Sequence, residues 1–257
     1  MLKRIRNAVD YLRVFPSFGD VRRFREVAYR GGSQQVEVRV RAAGSHALRI
    51  RPRTSDAAVL WDTFHEQFHL PPLALRPDAV IFDLGANVGF TALHLAKVHP
   101  QARVIAVELD RGNFEVARHH TRELPRVTVV NAAVWSEDGS VSYDSSASEW
   151  GFHVENAAKS GASMVTAAAK TMGTLMAEYG VADVDYIKMD IEGAEWPVLS
   201  TAGPWLDRVK SMKVELHQKF NENATYENCT RVLEARGFRC SRDDRHWDTL
   251  VAVRAGH

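Results

Sequence analysis

The chain has 257 residues, of which 45% are hydrophobic and 25% charged, and its net charge is only +1. These values predict one globular domain with a sizeable core, and no apolar run approaches the roughly 20 residues of a membrane span. The N-terminus lacks the apolar segment of a secretory signal, and the two cysteines are best explained as free thiols in a reducing compartment. We therefore expect a cytoplasmic protein without a nucleic-acid partner.

The beginning of the chain is basic and is predicted to form an N-terminal extension, residues 1–76. The first 53 residues hold 13 Lys and Arg against 4 Asp and Glu, a net charge of +9, so the remainder carries −8. Hydrophobic periodicity predicts a basic amphipathic helix over 1–14, a helix over 20–29, a hairpin over 35–51 and a helix over 58–68. The first helix fits packing on the body or on another subunit of a homo-oligomer better than a weak contact with a membrane surface.

The first strand of the remaining domain, residues 77–257, runs into a glycine-rich turn. Residues 79–84 are apolar up to Asp83, as in a parallel strand that is covered on both faces. A Gly-x-Asn-x-Gly turn from Gly85 to Gly89 follows and opens a helix. We expect the glycines to let the backbone approach a ligand, toward which the start of the helix directs free N–H groups.

The second buried strand, residues 103–109, places Glu108 where a nucleotide ribose is usually held by its hydroxyls. The turn lacks the third glycine of a dinucleotide fingerprint, and its middle position is Asn87, which does not suit a pyrophosphate. An adenosyl ligand without phosphates fits better, and Asp83 suits a cationic amino group. The residues thus favour S-adenosylmethionine.

The rest of the chain predicts further alternation of strands and helices and a closing antiparallel pair. The predicted strands are 127–132, 184–191, 209–216, 238–241 and 249–254. Such alternation requires a mostly parallel sheet with right-handed crossovers and helices on both faces. Residues 133–183 interrupt this rhythm with two short strands, 141–144 and 164–168. An excursion of this length often shapes an acceptor pocket, and the loop 150–153 is a candidate for it.

Polar residues collect at the carboxyl ends of the predicted strands, where open α/β sheets bind their ligands. They are Asp83, Glu108, Asn131, Asp190, Glu192, Glu215 and His217. Lys188 is expected to form a structural ion pair with Asp190. We predict that Asp190, Glu192 and His217 face an acceptor hydroxyl, with a neutral His217 or Asp190 as general base. A divalent cation such as Mg²⁺, held by Asp190 with Glu192 or Glu215, is the alternative route to deprotonation.

Several segments together resemble the FkbM family of S-adenosylmethionine-dependent methyltransferases. They are DLGANVG at 83–89, VEL-D-x-x-N ending at Asn113, VNAAV at 130–134, IKMDIEGAE at 187–195 and VELH at 214–217. The resemblance implies the class I, Rossmann-like methyltransferase fold with a seven-stranded sheet. It also implies an enzyme that O-methylates a hydroxyl of a sugar, glycan or polyketide-like natural product. It also implies a set of cofactor-binding residues, namely Asp83, Gly85, Asn87, Gly89, Phe90, Glu108, Leu109, Asn113, Asn131, Ala132 and Asp190.

Two other hypotheses are compatible with such a fold. An NAD-linked dehydrogenase shares the alternating strands and helices. However, the segment IKMDIEGAE has no role in such an enzyme, and the turn lacks the third glycine of the dinucleotide fingerprint. A non-catalytic scaffold is the second alternative, and the acids Asp83, Glu108 and Asp190 argue against it. The acceptor, a small molecule or a glycan, is not specified by the sequence.

Overall fold

A computed structural model describes residues 8–44, 46–144, 154–155 and 164–256. The predictions for residues 1–7 and for the loop 150–153 lie outside the described residues. The strands are β1 (Val36–Arg39), β2 (Ala47–Ile50), β3 (Val80–Leu84), β4 (Arg103–Glu108), β5 (Val127–Asn131), β6 (Ala133–Val134), β7 (Gly139–Asp144), β8 (Val154–Glu155), β9 (Met164–Lys170), β10 (Tyr186–Met189), β11 (Ser211–Glu215), β12 (Phe238–Arg242) and β13 (Thr249–Arg254).

Eight α-helices lie within the described part of the chain. They are α1 (Ala8–Val14), α2 (Phe18–Arg30), α3 (Asp56–Trp61), α4 (Phe90–Val98), α5 (Arg111–Thr121), α6 (Met172–Glu178), α7 (Glu195–Ser200) and α8 (Tyr226–Glu234). Asp110, Thr171 and Thr225 begin α5, α6 and α8, because each side chain accepts a hydrogen bond from the backbone N–H three residues on. Among the described residues, no helix has the length and apolar character needed to cross a membrane.

The seven-stranded sheet predicted from the sequence is present, in the order β12-β13-β11-β10-β3-β4-β5. The five strands from β11 to β5 are parallel, and β13 runs antiparallel to both of its neighbours. Both faces are buried, since Ile81 and Phe82 of β3 point to opposite sides and enter separate hydrophobic clusters. The carboxyl ends of the parallel strands therefore meet at one edge, which carries the site.

The N-terminal extension shares its core with the glycine-turn helix. Phe15 and Phe24 are fully buried, with ring centroids 5.0 Å apart, and they join one cluster with Phe90 and Leu93 of α4. The predicted hairpin is present as the antiparallel pair β1–β2. The helix predicted over 58–68 is instead α3 followed by one π-helical turn, Asp62–Glu66. Because this core is continuous, the extension supports the helix that follows the glycine turn.

The excursion between β5 and β10 forms a sheet of its own. The two short strands predicted there are present as β7 and β9, which pair antiparallel. They belong to a four-stranded sheet in the order β6-β9-β7-β8, which the sequence pattern did not predict. Strand β6 follows β5 after a single residue, so this small sheet begins at the carboxyl end of the main one.

Candidate functional site

The turn between β3 and α4 is compact because two glycines with positive φ let it pack against other parts of the backbone. Gly85 has φ 76°, and a Cβ there would lie 1.7 Å from the carbonyl oxygen of Asp190. Gly89 has φ 79°, and its Cβ would lie 2.9 Å from the Cα of Ala117. Gly85 also lines the cavity described below, so the expectation that it lets a ligand approach stays a prediction, whereas Gly89 does not line that cavity. Their missing side chains admit the end of β10 and helix α5.

Glu108 ends β4, and its carboxylate ties the glycine turn to the start of α5. Oε2 accepts a hydrogen bond from the N–H of Asn87 at 2.7 Å, and Oε1 accepts one from the N–H of Asp110 at 2.8 Å. Burial raises the pKa of Glu108 to about 7, although these two backbone hydrogen bonds favour the ionised form. Each carboxylate oxygen accepts two hydrogen bonds, so Glu108 retains capacity for ligand hydroxyls.

A cavity of about 210 Å³ lies at the carboxyl ends of β3, β4, β10 and β11. The predicted site residues that line it are Gly85, Asn87, Glu108, Leu109, Asn113, Ala132, Asp190 and Glu192. Apolar side chains, among them Val107 and Val134, form the wall around Glu108. The cavity thus joins the glycine turn to the acidic ends of the central strands.

The other predicted site residues do not line the cavity; they are Asp83, Gly89, Phe90, Asn131 and His217. Phe90 is fully buried and stacks on His120, with ring centroids 4.9 Å apart. The side-chain amide of Asn131 donates to the carbonyl oxygens of Glu108 and Leu109, both at 2.9 Å. Phe90 and Asn131 therefore shape the elements that form the cavity. The sequence had predicted that they would contact the cofactor directly.

Lys188 lies between two carboxylates at the end of β10. Its Nζ is 3.2 Å from Oδ2 of Asp190, which is the predicted ion pair, and 3.6 Å from Oδ1 of Asp83. Burial acts to lower the pKa of Lys188, but the charges of Asp190 and Asp83 outweigh it and raise the pKa above its usual value. Asp83 was expected to hold the amino group of the cofactor. In the structure it is fully buried, and the cation beside it is Lys188.

His217 follows β11 and is fixed by a buried carboxylate. Its Nδ1 lies 2.9 Å from Oε1 of Glu195, whose side chain is fully buried. Glu195 also accepts hydrogen bonds from the N–H groups of Ile191 and Gly193, so its position is set by the backbone. The imidazole is consequently held in one orientation, with Nε2 directed at the strand ends.

Three further carboxylates face Nε2 of His217. Oε2 of Glu192 lies at 3.4 Å, and Oδ1 of Asp190 and Oε1 of Glu215 both lie at 3.8 Å. Burial acts to lower the pKa of His217, but the hydrogen bond to Glu195 and the charge of Asp190 raise it to about 9. A pKa in this range disfavours the neutral imidazole that was expected as a general base, because carboxylates surround the ring.

Several residues that line the cavity were not predicted from the sequence. They are Val59, Asp62, Thr63, Phe68, His69, Lys213, His246 and Thr249, among others. Val59, Asp62 and Thr63 occupy positions i, i+3 and i+4, and this spacing could have placed them on one helix face. Burial raises the pKa of Asp62 to about 7, with the charge of Glu66 acting in the same direction. The extension thus contributes an acid to the cavity.

Strand order and site together define the class. Five parallel strands, one antiparallel strand inserted near the edge, and a cavity over a glycine turn form a class I methyltransferase fold. A family model described as the methyltransferase FkbM domain matches residues 83–240, more than half of the chain. The chain belongs to this family of methyltransferases, as its motifs indicated, and the hypothesis of an NAD-linked dehydrogenase is not supported.

Solved structures include an FkbM methyltransferase from Methylobacillus flagellatus, which is 17% identical with a TM-score of 0.49. The match covers 77% of this chain and 53% of that one, so the chain spans about half of the length of that relative. Fibrillarin from Aeropyrum pernix, in complex with natively bound S-adenosyl-L-methionine, is 14% identical with a TM-score of 0.39. That match covers 70% of this chain and 68% of fibrillarin. No curated protein matches the chain.

Proposed function

We propose that the protein is an S-adenosylmethionine-dependent O-methyltransferase that acts on a hydroxyl of a sugar, a glycan or a polyketide-like natural product. The observation that carries the proposal is the continuity of one cavity. It runs from Glu108 and the glycine turn to Asp190 and Glu192 at the end of β10. A cofactor and an acceptor bound in it would therefore meet at Asp190.

The residues around the glycine turn fit the cofactor. Glu108 has acceptor capacity for the two ribose hydroxyls, and charge-assisted hydrogen bonds of this kind are the stronger ones. Leu109, Asn113 and Ala132 line the adjoining wall, where an adenine ring is expected. S-adenosylmethionine, when bound, supplies a methyl group that is already activated on a sulfonium. What remains for the protein is to align an acceptor oxygen and to receive its proton.

The acidic strand ends suit that second task. A hydroxyl becomes a good nucleophile as its proton leaves, and a group within hydrogen-bond reach must accept that proton. The raised pKa of His217 makes it a poor proton acceptor at neutral pH. Burial also raises the pKa of Glu192 to about 7 and that of Glu215 to about 8, so Asp190 is the carboxylate best suited to receive the proton. Lys188 and His217 lower the pKa of Asp190 against the effect of burial, which keeps this carboxylate ionised beside the acceptor.

The acceptor end of the cavity favours a molecule with several hydroxyls. Asp62, Thr63, Glu215 and His246 line it, and each can accept a hydrogen bond from a hydroxyl. Such walls discriminate between acceptors with and without matching hydroxyls, because a buried polar group left without its hydrogen-bond partner costs about 1–3 kcal/mol. A hydroxyl-rich sugar or polyketide fits this pattern better than an apolar acceptor does.

The test begins with calorimetric titration of S-adenosylmethionine into the wild type and into Glu108→Ala. Loss of the ribose hydrogen bonds, about 1.5–3 kcal/mol, should weaken binding at least about tenfold. Glu115→Ala is the matched control, because Glu115 is exposed on α5 and pairs only with surface arginines in the described part of the chain.

The wild type is then incubated with methyl-labelled cofactor and a panel of sugars and polyketide alcohols, and mass spectrometry identifies the labelled ether. A protein that binds no cofactor, or that methylates only nitrogen or carbon, contradicts the proposal.

A further inference from the structure

Three side chains of two chemical types converge at the acceptor end of the cavity. Asp190, Glu192 and His217 each offer one ligand atom, and these atoms lie within 4.8 Å of one another. We propose that this trio binds a divalent cation of the Mn²⁺ kind through two carboxylates and the neutral imidazole, with the cation taking the place of a proton on Nε2. The role of the cation in catalysis rests on the proposed function, whereas its binding does not.

The distances around Nε2 of His217 suit ligands of one ion better than hydrogen bonds. Ordinary N–H···O hydrogen bonds measure about 2.7–3.2 Å, whereas the carboxylate oxygens here lie 3.4 and 3.8 Å away. Two ligand atoms at about 2.1 Å from a common metal ion are roughly 3.0–3.4 Å apart. A small inward movement of Asp190 and Glu192 therefore brings all three atoms to ligand distance.

The environment of His217 is that of a metal-binding histidine. The residue is only 9% exposed, and its Nδ1 is engaged by Glu195. Metal-binding histidines typically donate the other ring N–H to a carboxylate, which fixes the ring and its tautomer. Within the described residues, no hydrogen bond reaches Nε2, and this atom points at the two carboxylates of the trio.

The trio leaves room for an acceptor. Asp190 and Glu192 line the cavity, so a cation held by three protein ligands has open coordination positions on that side. A hydroxyl oxygen of the acceptor binds at such a position, where the positive charge lowers the pKa of the hydroxyl. The cation thereby orients the oxygen and eases the loss of its proton to a neighbouring carboxylate.

The test is a titration of MnCl₂ into the full-length protein, followed by electron paramagnetic resonance of free and bound Mn²⁺. We expect one bound equivalent, and a ¹⁴N modulation in the electron spin-echo spectrum that His217→Gln abolishes. Glu192→Gln should weaken Mn²⁺ binding at least about tenfold, since even outer contacts of metal sites contribute 10–100-fold. Glu222→Gln, the same substitution at an exposed acid, should leave the affinity unchanged.

Titration of S-adenosylmethionine into the same samples separates this inference from the proposed function. Glu192→Gln with wild-type cofactor affinity, normal thermal unfolding and weakened Mn²⁺ binding supports the cation site. The cation site is refuted if Mn²⁺ binds without ¹⁴N modulation, if Glu192→Gln retains full Mn²⁺ affinity, or if no stoichiometric ion is bound. A wild type that binds Mn²⁺ but no S-adenosylmethionine refutes the proposed function alone.

Discussion

The two halves of the cavity are built in different ways. The half that we propose for the cofactor, the cofactor half, lies over the glycine turn, where Glu108 accepts hydrogen bonds from the backbone of Asn87 and Asp110. The half that we propose for the acceptor, the acceptor half, lies at the ends of β10 and β11, where side chains contact one another through charge. Lys188 pairs with Asp190, and His217 faces carboxylates from two chain segments.

Because of this difference, the two halves should tolerate substitutions to different extents. Backbone hydrogen bonds in the cofactor half persist whatever the side chains at Asn87 and Asp110 are, so Glu108 is its sensitive position. In the acceptor half each group sets the protonation of the next, because ion pairs in a buried site are strongly coupled. A single isosteric change there should disturb the chemistry far more than it disturbs the fold.

The largest expected effect is that of Asp190→Asn. The amide keeps the shape of the side chain but cannot accept the hydroxyl proton or balance Lys188. General-base contributions are typically about 10²–10⁴-fold, so kcat should fall by that factor. The Kd of S-adenosylmethionine should change by less than about threefold, because Glu108 is intact. Steady-state kinetics with the acceptor from the panel, together with calorimetry, measures both quantities.

The control for Asp190→Asn is Asp183→Asn, at an exposed acid 3.7 Å from Arg208 on the surface. Its kcat should equal that of the wild type. If Asp190→Asn instead retained kcat and lost cofactor affinity, Asp190 would belong to the cofactor half.

The second prediction concerns the pH dependence of cofactor binding. Burial raises the pKa of Glu108 from 4.5 to about 7, so its contribution to the stability of the ligand-free fold is complete below 4.5 and is lost as the pH rises through 7. Ribose hydroxyls donate to the ionised form, so cofactor affinity should rise with pH through about 7, by roughly tenfold between pH 6 and pH 8.

Calorimetry at the two pH values tests this dependence, with Glu108→Gln as the matched variant. The amide does not titrate, so its weaker binding should vary by less than about twofold over the same interval. Equal pH dependence in both proteins would assign the titration to another group.

The cofactor half was largely predictable because its determinants are close in sequence. Glu108 lies about twenty residues beyond the turn, and a buried strand followed by glycines indicated both elements. The same local pattern misled the assignment of Phe90 and Gly89, since a motif does not reveal which side of a turn faces the core. Packing of Phe90 on His120 and of Gly89 on Ala117 determines which side of the turn faces the core, and both partners belong to the later helix α5.

The acceptor half was predictable only at the strand ends. Asp190, Glu192 and His217 could be placed at one edge because parallel strands end together. The raised pKa of His217, however, depends on the buried Glu195, which no periodicity singles out. Asp62 could not be assigned to the site, since its position depends on how the extension packs onto α4. Tertiary contacts over long sequence separations set these features.

The smallest predicted effect is that of Asp62→Asn, and it tests whether the extension belongs to the acceptor half. Asp62 lines the cavity beyond Asp190, and burial raises its pKa to about 7. At pH 8 the ionised carboxylate should accept a stronger hydrogen bond from an acceptor hydroxyl than an amide does, so the acceptor KM should rise about three- to tenfold. At pH 6, where Asp62 is mostly protonated, the difference between wild type and variant should narrow. The Kd of S-adenosylmethionine should stay constant, and Asp78→Asn, at a side chain that is 72% exposed, should change neither quantity. If Asp62→Asn instead left the acceptor KM unchanged and weakened the binding of S-adenosylmethionine, the π-helical turn would lie over the cofactor. Asp62 would then belong to the cofactor half.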